Sequence, residues 1–249
     1  MKKELVSIIV PVYNASRFIE NTIDTVMNQT YQNFELIFVD DLSTDDSMRK
    51  IKKYQDERIK IISLEKKGMA AGARNRGILE AQGEYICYLD ADDLWDKDKL
   101  LKQITFMKEH SCAFSFTGYE FASELGIPIG KKVFIPNQLN YKQAIKNTTI
   151  FTSTVMFNMN YITKEEIFMP NIKSEDTASW WNILKHGYIA YGLNEILVLY
   201  RRSDHTLSSN KIEAIKRIWN LYRNHEKLNL PYSIICFICY AYHAVLRRV

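Results

Sequence analysis

The 249-residue chain is poor in the features that announce many protein classes. It has four cysteines, too few and too scattered for a disulfide scaffold at this size. Cys87 and Cys112 sit in apolar stretches, and Cys236 and Cys239 form one C-x-x-C with no second pair to complete a zinc site. Buried packing is their expected role, and reduced thiols suit a cytoplasmic protein. Glycine is scarce, at nine residues. No G-x-G-x-x-G follows the first strand-like run and no G-x-x-x-x-G-K-[ST] occurs, which disfavours dinucleotide dehydrogenases and P-loop NTPases. No stretch reaches the roughly 20 apolar residues of a membrane-spanning helix. Met1-Lys2-Lys3-Glu4 leads into a short apolar run broken at Pro11, which does not read as a signal peptide. The charge excess is small as well, 33 Lys and Arg against 29 acids, so no nucleic-acid partner is expected.

What is present is an ordinary globular composition, 47% hydrophobic and 25% charged. That excludes disorder as the main state and allows a full core. Val6-Ser7-Ile8-Ile9-Val10 reads as a buried strand. Residues 17–29 follow with Phe18, Ile19, Ile23, Val26 and Met27 at helical spacing. Strand-like runs recur at Leu36-Ile37-Phe38-Val39, at residues 59–64 and at Tyr85-Ile86-Cys87-Tyr88-Leu89, with helices expected over residues 70–81 and 97–110. This α/β repetition with short connections predicts a doubly wound, mostly parallel sheet. Such sheets bind ligands at the carboxyl ends of their strands. Tyr13-Asn14, Asp40-Asp41, Gly68 and Asp90-Ala91-Asp92-Asp93 each follow one of the four strands. Any one of them could be turn chemistry; four on a single rim mark the expected active site.

The second half is less regular. Residues 113–122 alternate like a strand, Gly126-Ile127-Pro128 reads as a turn, and residues 132–135, 153–157 and 196–200 are further strand candidates. Residues 176–186 read as a helix closed by Gly187. Two tail helices are expected over residues 211–228 and 232–248. The simplest division is one domain over residues 1–208, in two halves at 1–100 and 101–208, with a helical tail at 209–249. From residue 201 onward there are nine Lys and Arg and three acids. An almost wholly apolar run over residues 232–246 is flanked by Lys227 and Arg247-Arg248. That pattern fits a helix lying on an anionic membrane surface. It equally fits a helix packed on the domain or an oligomer contact.

Two carboxylates one residue apart at a strand's end, Asp90 and Asp92, suit a hard divalent cation that holds phosphate oxygens. The blander reading is a helix start, since residues 93–96 include two more aspartates. Asp40-Asp41 ends the second strand, where an acid commonly reads a ribose or base. The segments Val6 to Asn14, Gln29 to Ile37, Val39-Asp40-Asp41 with Ser43-Thr44-Asp45, Ala73-Arg74-Asn75-Arg76-Gly77 and Leu89 to Asp93 together resemble glycosyltransferase family 2. The likeness covers roughly the first hundred residues, and continues more loosely through Ser174-Glu175-Asp176 and Tyr200-Arg201 to His205 and Ser208. Within that family the chain is most similar to bacterial enzymes of O-antigen, capsule and teichuronic-acid assembly.

The resemblance implies a GT-A fold and an inverting, metal-dependent sugar transfer from a nucleotide-sugar, a UDP-hexose, to a lipid-linked saccharide carried on undecaprenyl diphosphate. It implies work at the inner face of the cytoplasmic membrane. Pro11 and Tyr13 would line the base and ribose pocket, Asp41 would bond the uracil, and Asp90 would face the ribose or the metal. Asp92 would hold Mn²⁺ or Mg²⁺, with His205 as a further metal or diphosphate contact. Arg74 would brace the rim and Asp176 would be the base. One departure is Leu42, where the family often has Gly, so that the loop is expected to turn without positive φ. Trp180-Trp181 could stack on an acceptor sugar, although paired aromatics on a helix are more often core. The competing readings are a metal-dependent phosphotransferase or nucleotidyltransferase on the same aspartates, and a catalytically silent nucleotide-sugar-binding subunit of a membrane assembly complex.

Overall fold

The computed structural model of the protein describes residues 1–202 and 211–246. The first half alternates as the periodicity predicts: β1 (Lys2–Val12), α1 (Ile19–Met27), β2 (Phe34–Asp40), α2 (Ser47–Ile51), β3 (Ile59–Ser63), α3 (Met69–Glu80) and β4 (Gly83–Tyr88). There follow β5 (Leu94–Trp95), α4 (Lys99–His110), β6 (Phe114–Ala122), β7 (Pro128–Val133), β8 (Gln138–Leu139), α5 (Tyr141–Ala144), β9 (Met156–Asn158), α6 (Glu175–Lys185) and β10 (Ala190–Arg201). The tail adds α7 (Lys211–Asn220) and α8 (Leu230–Leu246).

The strands form one sheet in the order β3-β2-β1-β4-β9-β6-β10-β5, with β7 on β6 and β8 on β10. The long pairings are parallel: β1 with β2 and β4, β2 with β3, and β6 with β10. The antiparallel ones, including both sides of β9, run for only two or three residue pairs. β1 is buried on both faces, which explains its unbroken apolar run. Ile9 points into one core with Ile78 and Trp180, while Ile8 and Val10 point into the other with Ile23 and Leu100. Gly77 lets α3 lie close on β1, since a Cβ there would meet Ile9 Cγ2 at 2.4 Å. Because β1 to β4 are mutually parallel, their carboxyl ends and the loops that follow share one edge, as expected.

The second half departs from its sequence pattern in several places. The strand expected over 153–157 is a 3₁₀ turn at Thr152–Thr154 followed by β9. The candidate over 196–200 is the end of the twelve-residue β10. The partner expected at 132–135 starts earlier, as β7, after a turn at Gly126 with φ +78°. In the tail, the first helix stops at Asn220, and Leu221–His225 is π-helical. Glu226, buried just beyond, accepts from Tyr141 Oη–H at 2.5 Å and from Lys185 Nζ at 3.0 Å. Tyr222 stacks on Trp181 at 5.3 Å. The tail therefore packs on the domain. α8 does so by one face only, burying Ser233 and Cys236 and leaving Ile234, Ile235, Ile238, Tyr242 and Val245 between 45% and 62% exposed. Cys87, Cys112, Cys236 and Cys239 are free, the first three of them buried.

Candidate active site

A cleft of about 840 Å³ opens at the carboxyl edge of the parallel strands. Pro11 and Tyr13 enter it from the end of β1, Asp41 from the end of β2, Arg74 from α3, Asp90 and Asp92 from the end of β4, and Asp176 from the first turn of α6. Every sequence-predicted site residue except His205 therefore lines one cavity. His205 lies outside the described residues.

On the first wall, Tyr13 is half exposed, with Lys67 Nζ 3.7 Å from its ring centroid. Asp41 Oδ1 accepts from the Gly68 backbone N–H at 2.6 Å, which ties the β2 rim to the start of α3. Asp40 does not line the cleft; its carboxylate accepts from Ser43 N–H at 2.9 Å and closes the loop. The expectation for Leu42 is corrected here: it turns with φ +60°, in the left-handed region. Asn14 (φ +50°), Met69 (φ +54°) and Ser174 (φ +60°) share that conformation and all three line the cleft. Left-handed backbone costs a non-glycine residue about 1–2 kcal/mol. Its concentration around one cavity is the pattern of a functional site held in place by its surroundings.

The acids after β4 divide into two kinds. Asp93 is fully buried, accepting from Ser153 Oγ–H at 2.5 Å and from the Arg201 N–H at 3.2 Å. Burial, with Asp92 and Asp90 nearby, pushes its carboxyl well above the usual range. It pins the chain to the sheet, and does not sit at a helix start: α4 begins at Lys99. Asp92 faces the cleft, and burial together with the Asp90 charge pushes its carboxyl up to about 6. Such a pair is relieved by a cation. Oxygen donors of this kind fit Mn²⁺ or Mg²⁺, although among the described residues no three metal-ligating side chains converge. Arg201, close enough to attract both Asp92 and Asp93, is buried against the Phe18 ring at 4.8 Å. Its guanidinium finds no hydrogen-bond partner among the described residues.

Across the cleft, Asp176 accepts from Thr177 N–H at 2.6 Å and from Thr152 Oγ1–H at 3.3 Å. Buried Arg74 joins the two walls, donating to Asp90 at 2.6 Å and to Glu175 at 2.9 Å. Burial alone would lower the Arg74 pKa, but Asp90 and Glu175 hold it above the ordinary arginine value. Glu175 is raised by burial and by neighbouring Asp176, against the pull of Arg74. The arrangement brings the Asp176 carboxylate into the same cleft as two acids suited to a cation. Groups of these kinds can serve as a base and as a charge-neutralising site.

Sequence reasoning missed Asp93, Ser153 and Glu175 as parts of this framework, and it missed the tail. Ala214, Arg217, Ile218 and Tyr240 line the same cleft as Asp176; the only signal was the basic and aromatic character of residues 211–246. Trp180 and Trp181 are core residues, both buried.

Three comparisons bear on this site. The family model described as "Glycosyl transferase family 2" matches residues 7–167. The chain is 45% identical to the putative teichuronic acid biosynthesis glycosyltransferase TuaG of Bacillus subtilis, over 99% of this chain and 98% of that one. It is 37% identical to WfgD of Escherichia coli, a UDP-Glc:alpha-D-GlcNAc-diphosphoundecaprenol beta-1,3-glucosyltransferase, over 89% and 86%. Its fold matches the crystal structure of Staphylococcus aureus TarS residues 1–349 in complex with UDP-GlcNAc, with a TM-score of 0.71 over 93% and 70% of the two chains at 20% identity.

Proposed function

Since the chain belongs to glycosyl transferase family 2, we propose that it moves a hexose from a UDP-sugar to a saccharide carried on a lipid diphosphate, with inversion at the anomeric carbon. It is a glycosyltransferase of the polysaccharide-building kind; the donor, the metal and the stereochemistry are the content of the proposal. The observation that carries it is one cleft lined by Asp90, Asp92 and Asp176 together.

The nucleotide lies along Pro11, Tyr13 and Asp41. The acceptor hydroxyl attacks the anomeric carbon as its proton passes to the Asp176 carboxylate, forming the new glycosidic bond and breaking the bond to the UDP oxygen. A carboxylate base contributes about 10²–10⁴-fold. Asp92, with Asp90, would hold Mn²⁺ or Mg²⁺, and His205 is a further candidate contact. When bound, the ion neutralises charge developing on the leaving diphosphate. Arg74 fixes Asp90 relative to the helix that bears Asp176 and does not touch substrate. Residues 1–208 carry the chemistry, and the tail over 209–249 supplies part of the acceptor wall.

A lipid-linked acceptor also requires a membrane. Among the described residues no helix is long and apolar enough to cross one. The exposed apolar face of α8, preceded in sequence by basic Lys216, Arg223 and Lys227, suits peripheral docking on an anionic surface.

The test is binding and transfer measured on the same variants. UDP with Mn²⁺ at about 100 times its dissociation constant should stabilise wild type by roughly 2.7 kcal/mol, read as a raised melting temperature, with GDP, CMP and dTDP giving less. Asp92→Asn loses that shift. Asp176→Asn keeps it and loses about 10²–10⁴-fold in transfer. A wild type that binds no nucleotide with metal present would sink the reading.

A further inference from the structure

Just before β9 the chain makes one 3₁₀ turn, Thr152–Thr154, whose side chains are all hydroxyls and all buried. The sheet decides where this turn stands. β9 runs antiparallel to β4, with Tyr85 opposite Asn158 and Cys87 opposite Met156. Continued from Cys87 on to Asp90 and from Met156 back to Ser153, that register sets Ser153 opposite Asp90, at the end of β4 where the cleft opens. The Asp90 N–H accordingly donates to Ser153 Oγ at 3.0 Å.

Each residue of the turn meets a different part of the molecule. Ser153 Oγ–H donates to Asp93 at 2.5 Å, and the Ser153 carbonyl accepts from Trp95 Nε1–H at 2.9 Å. The Thr154 carbonyl accepts from Gln103 on α4 at 2.9 Å. Thr152 lines the cleft and reaches α6, donating from Oγ1–H to Asp176 Oδ2 at 3.3 Å. The loop that bears Asp90 and the side chain of Asp176 are thus anchored, through adjacent residues, to one buried turn. The two oxygens of the Asp176 carboxylate are held differently. Oδ1 accepts from the N–H of Thr177, its neighbour on α6. Oδ2 accepts from Thr152 alone among the described residues. A bond to its own helix moves with the helix; the Thr152 bond is the one that refers the carboxylate to the rest of the site. Its length is that of a contact made without substrate, since catalytic hydrogen bonds commonly tighten once substrate is bound.

Resting on the reading of Asp176 as the base, we propose that Thr152 is a positioning residue for it. Through the Thr152–Ser153 turn, the carboxylate that takes the acceptor proton is fixed relative to the acids after β4. Thr152 moves no proton itself. A catalytic group displaced by about 1 Å can cost on the order of 10²-fold, so the effect of losing this bond falls on kcat.

The test is a double-mutant cycle in the full chain. UDP-glucose, UDP-galactose and UDP-N-acetylglucosamine serve as donor probes, and N-acetylglucosaminyl diphosphoundecaprenol as acceptor probe. Thr152→Val removes the hydroxyl and keeps the shape. It should lower kcat roughly 10- to 100-fold, while donor KM and the dissociation constant of UDP with Mn²⁺ stay within about twofold of wild type. Thr152→Ser keeps the hydroxyl and should recover most of the loss. In Asp176→Asn the carboxylate is already gone, so adding Thr152→Val should cost less than about twofold more, because residues that act as a unit are not additive. The same fold loss in both backgrounds would make Thr152 a structural residue and overturn the assignment. Wild-type kcat in Thr152→Val, no recovery in Thr152→Ser, or a loss confined to donor KM would overturn it as well. A wild type that binds UDP and transfers none of these sugars, or an Asp176→Asn that transfers as wild type does, would overturn the reading on which the assignment rests, and is separable from each of those results.

Discussion

On one side of the cleft, β1, β2 and β4 deliver Tyr13, Asp41 and Asp90 by a repeated device, in which a parallel strand ends and its loop turns outward at the same edge. On the other side, Asp176, Arg217 and Tyr240 come from three helices that no sheet register aligns. The first wall is specified locally, since each strand carries its own apolar run and, just after it, its own cleft residue. The second is specified by long-range contacts: Arg74 to Glu175 across 101 residues, and Tyr141 to Glu226 across 85. A locally coded wall should tolerate losses on the far side, whereas the long-range wall should fail at its bridges.

Arg74 is the bridge whose loss tests this most severely. Arg74→Met leaves Asp90 and Glu175 partly buried without their shared cation, and breaking such a pair costs roughly 3–5 kcal/mol. The expected result is a lower urea midpoint together with a loss of transfer greater than the loss of UDP binding. Adding Glu175→Gln should return part of the stability, because one uncompensated charge is removed. If Arg74→Met unfolds at the wild-type midpoint, the two walls are not coupled through this residue.

The same contrast decides what could be read from sequence. The β1–β4 unit and its rim were legible because apolar periodicity and terminal aspartates lie within a few residues of each other. β5, β8 and α5 are two to four residues long and had no such signal; β5 and β8 exist because β10 pairs with them. The first half of β10, with Gly192, is held extended by its ladder with β6, which shifts register between Leu193 and Ile196. Asp93 resembles a helix start in sequence, yet its partners Ser153 and Arg201 lie 60 and 108 residues away. Leu42 reads as a residue that avoids positive φ, and the loop between Asp41 and the Ser43–Asp40 hydrogen bond overrides that preference.

The locally coded half contains one exception, and it gives the next largest effect. Lys99 opens α4 but is fully buried, its ammonium 3.8 Å from the Trp95 ring centroid and without a hydrogen-bond partner among the described residues. Burial lowers its pKa to about 8 from 10.5. The folded state therefore releases this proton at lower pH than the unfolded state does. Below about 8 the full penalty of burying the charge is present, and it fades as pH rises towards 10.5. Lys99→Met should raise stability at pH 7 by up to about 3 kcal/mol. Its advantage over wild type should shrink between these two pH values. Denaturant titrations of both proteins at pH 7, 9 and 10 check the sign, and an advantage that grows with pH would contradict it.

The smallest effect on folding is expected where the tail meets solvent, and there the comparison is sharpest. Ile235 and Ile238 are 51% and 62% exposed on the outer face of α8, so Ile235→Asp with Ile238→Asp should change stability by no more than about 0.5 kcal/mol each. If that face docks on a membrane, the pair of substitutions removes two apolar anchors and adds repulsion from anionic lipid. Each anchor is worth about 1.5–3 kcal/mol when fully buried, and less in an interface. Binding to phosphatidylglycerol-containing vesicles should therefore fall by at least about tenfold, while wild type should bind phosphatidylcholine vesicles weakly and lose anionic binding at high salt. UDP binding should be untouched, because the outer face of α8 is turned away from the cleft that Tyr240 lines. A variant that floats with anionic vesicles as wild type does, or a wild type that self-associates through this face in solution, would assign the surface to something other than lipid.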